Sequence, residues 1–90
     1  MCTREYSYFT IYVGVINDMD KKKFNKLLGE HIRKHRESLG ISQHQLASDS
    51  NTHINYIGSV ERGEKSITVY KLYEILSSVD IDLNEFFEDL

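Results

Sequence analysis

The segment from Ser42 to Gly63 is punctuated so tightly that it admits two short helices and one turn. Gly40 sits just past an apolar run, where a left-handed residue ends a helix. Ser42, with Gln45 three residues on, matches a capping box and starts the next helix, over about Ser42 to Ser48. A turn follows at Asp49 to Thr52, and Asn51 is the residue there that best tolerates positive φ after glycine. The second helix runs from about His53 to Arg62 and stops at Gly63. Two short helices so joined cross steeply, and Ala47 gives the first a small residue where the second packs close. Ile57 and Val60 turn inward with Tyr56 alongside, which leaves the other side of that helix free.

The flanking sequence extends the helical pattern. Phe24, Leu27, Leu28, Ile32 and Leu39 make one apolar stripe on a helix predicted over about Asp20 to Leu39, capped by Asp18 or Asp20. Thr68 caps a further helix to about Ser78, with Val69, Leu72, Tyr73, Leu76 and Val79 as its buried stripe. Asp82 and Glu85 form a second capping box before an apolar face of Leu83, Phe86, Phe87 and Leu90. The chain has no proline and five glycines, which favours helices with short connections. These features predict an all-α, compact five-helix domain over residues 19–90. A chain of 90 residues has a thin core. Phe86, Phe87 and Leu90 exceed what one short terminal helix needs, so they are expected to form a homodimer interface. Residues 1–18 differ: the run from Glu5 to Ile16 is aromatic and β-branched, the composition of a strand. They read as an N-terminal extended segment. Pairing with the body, lying across it, pairing with a symmetry mate, or simply preceding a domain that begins at Met19 all remain open.

Several classes of function are disfavoured. The one cysteine, Cys2, allows no internal disulfide framework and no cysteine-based metal site. The longest apolar stretch, Phe9 to Ile16, is too short to span a bilayer, and no convincing secretory signal is present, so a cytoplasmic protein without a membrane partner is expected. His31 and His35 have metal-gripping spacing but no evident third ligand, and they read as helix surface. No Ser/His/Asp constellation and no glycine-rich phosphate loop occurs. Neither enzyme activity, nor a cofactor, nor a small-molecule ligand is therefore expected. The net charge of −3 argues against a chain that coats nucleic acid along its whole surface. The charge is nonetheless dipolar, with a net +6 over residues 21–36 and −5 over residues 80–90. Lys21, Lys22, Lys23 and Lys26 fit a local phosphate-contact patch and a solvated helix face equally well.

The spacing from Ser42 to Gly63 is that of a helix-turn-helix. With Ile32, Arg36, Leu39 and Gly40 before it, Ser42-Gln43, Leu46-Ala47, Tyr56-Ile57 and Glu61-Arg62-Gly63 within it, and Leu72, Val79 and Leu83 after it, the chain resembles the lambda Cro/repressor-like helix-turn-helix family, also called the XRE family. Within that family it is similar to restriction–modification controller proteins and small phage-type repressors. The resemblance implies a lambda-repressor-like DNA-binding domain that regulates transcription. It would bind a double-stranded DNA operator as a homodimer, with the helix at 53–62 in the major groove. Carried over by position, the base-reading residues are Gln43, Ile54, Asn55 and Ser59, with His53 at the rim. Arg62, Lys65 and Ser66 would contact phosphates. Arg36 and Glu61 match an arginine and a glutamate that form an interhelical ion pair in the family. The chain departs from the pattern at Asn51 for glycine, Thr52 for an aliphatic plug, His53 for a Ser, Thr or Asp cap, and Ile67 for a common proline. An alternative is a protein-interaction module, such as an antitoxin or anti-repressor, built on the same fold.

Overall fold

The computed structural model describes residues 20–90, and the expected extended segment at 1–18 lies outside the described residues. Among the described residues, five helices follow one another: α1 Lys21–Ser38, α2 Gln43–Asp49, α3 Ile54–Glu61, α4 Val69–Ser77 and α5 Leu83–Glu88. Each start is set by a side chain that accepts an otherwise orphaned backbone N–H. Asp20 accepts from Lys23 at 2.8 Å, Ser42 from Gln45 at 3.0 Å, Thr68 from Lys71 at 3.1 Å and Asp82 from Glu85 at 2.7 Å. The Ser42 box is closed from one side only, because the Gln45 amide turns forward to Asp49 at 2.8 Å. Two of the interhelical turns rest on non-glycine residues at positive φ, Asn51 at 54° and Asp80 at 61°. Among the described residues no helix is long and apolar enough to cross a membrane.

The core comprises Leu28 and Ile32 from α1, Leu46 and Ala47 from α2, and Ile57 and Val60 from α3. Leu72, Ile75 and Leu76 from α4, Ile81 from the following loop and Phe86 from α5 complete it. Several sequence expectations are corrected. Leu39 is exposed because it is the C-cap of α1, beyond the last turn that packs. Val69 and Tyr73 of the expected α4 stripe are also exposed. The buried arc of α4 is instead Leu72, Ile75 and Leu76, with Val79 packed beside it; Tyr73 is rotated about 100° away from Leu72. His31 is buried rather than a surface residue, and its Nε2–H donates to the Phe86 carbonyl at 2.7 Å. The His31 ring stands edge-on to Phe86, with centroids 4.6 Å apart. Phe86 itself is 0 % exposed. It is a core residue of the single chain and has no surface to offer a second copy, so the interface expected at Phe86 is withdrawn.

Gly29, in the middle of α1, fixes how closely α1 approaches α3. A Cβ there would lie 2.8 Å from the Glu61 carbonyl oxygen and nearer still to that of Val60, both backbone atoms of a packed helix. Gly29→Ala gains about 1 kcal/mol of helix propensity, whereas overpacking against backbone costs up to about 3 kcal/mol. The expected outcome is a net loss of roughly 2 kcal/mol, read as a fall in the thermal midpoint of about 8–16 °C. A Gly29→Ala protein as stable as its parent would show that the helices are not in this contact.

Candidate nucleic-acid interface

α2 and α3 are joined by a turn whose bonds are all local. The Ser50 hydroxyl, buried, donates to the Leu46 carbonyl at 2.7 Å, and the Thr52 backbone N–H donates to that of Ala47 at 2.8 Å. Asn51, between them, takes the left-handed conformation. Thr52 is half-buried and turns its hydroxyl to the Ser50 carbonyl at 3.1 Å, so the missing aliphatic plug is replaced by a hydrogen bond. His53 is the N-cap of α3. Its Nδ1 accepts from the Asn55 backbone N–H at 3.2 Å, which places the ring proton on Nε2 in the neutral imidazole.

Behind α3 lies an ion pair that locks it to α1. Arg36 donates to Glu61 through Nε at 2.7 Å and Nη2 at 3.1 Å, and its Nη1 donates to the Ile41 carbonyl at 2.8 Å. The Glu61 side chain is 2 % exposed and that of Arg36 11 %. The hydrogen bonds that Arg36 donates to Glu61, helped by the carboxylate's charge, hold the guanidinium above its ordinary pKa, against the opposing effect of burial. Gln43 joins the pair, its Nε2 donating to Glu61 at 2.9 Å.

On the outer side, Gln43, Ile54, Asn55, Gly58, Ser59 and Arg62 line one shallow groove. Four of the five residues expected to read bases thus come together. His53 does not line the groove and sits exposed at the start of α3. Ile54 is half-buried and packs against the core, so it presents an edge rather than a whole side chain. Of the residues expected at phosphates, Arg62 ends the groove, while Lys65 and Ser66 are exposed on the following loop. Arg62 is paired with Glu64 at 2.8 and 3.2 Å. That hydrogen bond raises the Arg62 pKa and holds the Glu64 carboxyl below its ordinary range. Both side chains are exposed, so the pair is screened and exchangeable.

Gly58 is the residue that sequence reasoning missed. A Cβ there would sit 3.1 Å from Arg62 Nη1 and 3.8 Å from Gln43 Oε1, so its absence lets both side chains lie across the floor of the groove. The available signal was a glycine in the middle of an eight-residue helix, which costs about 1 kcal/mol against alanine.

The geometry agrees with what the chain is similar to. The family described as Helix-turn-helix matches over residues 32–86. The chain is 45 % identical over 47 residues to control protein C.SmaI of Serratia marcescens, covering 52 % of this chain and 56 % of that one. It is 30 % identical over 63 residues to a Rhodospirillum rubrum protein called uncharacterized transcriptional regulator in ATPase CF(0) region, covering 70 % of this chain and 58 % of that one. It is also 30 % identical over 56 residues to the uncharacterized HTH-type transcriptional regulator y4dJ of Sinorhizobium fredii, covering 62 % and 73 % respectively. The chain thus spans less than two thirds of the length of the first two of these relatives.

Proposed function

Because the chain belongs to the XRE-type helix-turn-helix family, we propose that it is a sequence-specific transcriptional regulator that binds an operator in double-stranded DNA as a homodimer, with α3 in the major groove. The observation that carries this reading is the groove of Gln43, Ile54, Asn55, Gly58, Ser59 and Arg62, held over a rigid Arg36–Glu61 pair. In this reading the exposed Asn55 bonds bidentately to adenine. Gln43 has one Nε2 proton committed to Glu61, and it keeps Oε1 and the second proton for a base edge. Ile54 packs its free edge on a thymine methyl, Ser59 completes the contact, and His53 lies at the rim. Arg62, Lys65 and Ser66 bind phosphates and set the register. Phe87 and Leu90, at the C-terminal end, supply apolar contacts for the two-fold. Half-sites would then lie about one helical turn, 34–36 Å, apart. That the similar proteins are a control protein and transcriptional regulators supports this role.

Selection from random duplexes at moderate salt tests it. One motif should be enriched, bound about a thousandfold or more above random DNA. Asn55→Ala should cost about 1–3 kcal/mol at one base position and leave binding to random DNA unchanged. Failure to enrich any motif overturns the reading. A protein-interaction module on the same fold is then favoured, for which the exposed Val69, Tyr70 and Tyr73 of α4 speak.

A further inference from the structure

We propose that a second cleft, formed by Lys21, Lys22, Asn25 and Lys26 of α1 with Arg62 and Gly63 after α3, is an anion-binding surface that holds the phosphodiester backbone of duplex DNA beside the recognised groove. The proposal rests on the DNA-binding reading above and extends its footprint. The lysines lie before residue 32, where the match to the family begins.

Lys21 and Asn25, and Lys22 and Lys26, are pairs four residues apart, so all four side chains share one face of α1. Lys23, one position off this face, does not line the cleft. Two contacts fix that face to the loop after α3. Gly63, at φ +78°, lies so close to α1 that a Cβ there would come 2.7 Å from Lys26 Cα. Asn25 Nδ2 also donates to the Ser66 hydroxyl at 3.2 Å. The cations are therefore carried on the same rigid body as α3, while their exposed side chains stay free to adjust.

Charge and continuity identify the occupant. Four cations face one carboxylate, Glu64, which is already engaged with Arg62. Among the described residues, none of Lys21, Lys22 and Lys26 has a carboxylate within ion-pair distance. Arg62 lines both this cleft and the α2–α3 groove, so the two surfaces meet at one side chain. A duplex carries a charge about every 1.7 Å of its axis, so one seated in the groove brings a row of phosphates past Arg62. Lysines are compact point charges, suited to such contacts and indifferent to base identity.

The test measures anisotropy of a labelled duplex from about 50 to 200 mM salt, the range over which phosphate contacts are most visible. The proteins are the parent, Lys21→Gln/Lys22→Gln/Lys26→Gln, Lys22→Gln, Lys26→Gln and Lys23→Gln, each confirmed as folded by its thermal melt. Each lost contact should flatten the log–log salt slope by about 0.9, and the triple variant by roughly 2–3, for selected and random duplexes alike. Lys23→Gln should keep the parent slope. A parent slope in the triple variant overturns the cleft, as does an equal loss in Lys23→Gln, which would mark a net-charge effect. The DNA reading fails separately. If the parent binds all duplexes equally, sequence-specific regulation is refuted while the slope comparison still decides the cleft. If it binds no duplex at low salt, both fall.

Discussion

Glu61→Ala is expected to lower the unfolding free energy by about 3 kcal/mol, the lower part of the range for breaking a buried ion pair. The Glu61 carboxylate accepts from Arg36 twice and from Gln43 once, and is 2 % exposed. Among the described residues, truncation leaves the Arg36 guanidinium hydrogen-bonded to the Ile41 carbonyl alone. Arg36 retains some access to water, which is why the loss stays below the roughly 5 kcal/mol of a sealed site. In a domain of this size the midpoint should fall by roughly 12–24 °C. Urea titration of both single variants and of Arg36→Met/Glu61→Leu closes a double-mutant cycle. The double variant should be more stable than either single one, because no uncompensated charge remains. A Glu61→Ala loss below about 1 kcal/mol would mean that the pair behaves like an exposed one and does not lock α3 to α1. Gln43 also loses its anchor in Glu61→Ala, so the same variant links stability to the groove.

What could be read from the sequence divides by the distance over which each interaction acts. The caps Asp20, Ser42, Thr68 and Asp82 bond to an N–H three residues on, and the turn at Asn51 is built within five residues. Such contacts are nearly independent of the rest of the chain, and helix boundaries followed from them to within a residue or so. The Arg36–Glu61 pair spans 25 positions and was legible only through the family resemblance. The burial of His31 depends on Phe86, 55 positions away, and an i,i+4 histidine pair has no local signature for that. Val69 and Tyr73 failed for a related reason: periodicity gives the apolar arc of α4 but not its phase against α2 and α5. The outward side of α3 was legible at Asn55 and Ser59, which lie away from the buried Ile57 and Val60. The Gln43–Glu61 bond and the space left by Gly58 were not, because both depend on how α2 lies over α3.

Phe86→Ala is expected to cost about 3–5 kcal/mol, the range for removing a fully buried aromatic ring. Phe86 is 0 % exposed and packs against His31 at 4.6 Å, His35 at 5.3 Å and Phe87 at 5.3 Å between centroids. Loss of the ring opens the seam between α1 and α5. It also loosens the short helix whose Phe86 carbonyl accepts from His31, so that a buried histidine N–H risks losing its partner. Total stabilities of small domains are about 5–15 kcal/mol, so this is a large share of the total, and the thermal midpoint should fall by roughly 12–40 °C. Phe87 is 38 % exposed on the same helix and gives the contrast. Phe87→Ser, which loses the edge-on contact with Phe86 but opens no sealed cavity, should cost only about 1–2 kcal/mol at protein concentrations where the chain is monomeric. If Phe87 lies in the proposed two-fold, the same variant should lower the dimer fraction in sedimentation equilibrium while the circular dichroism spectrum stays unchanged. A Phe86→Ala protein that remained folded and merely dissociated would restore Phe86 to the interface. The opposite order is expected, because Phe86 is sealed in the core of each chain while Phe87 on the same helix is exposed.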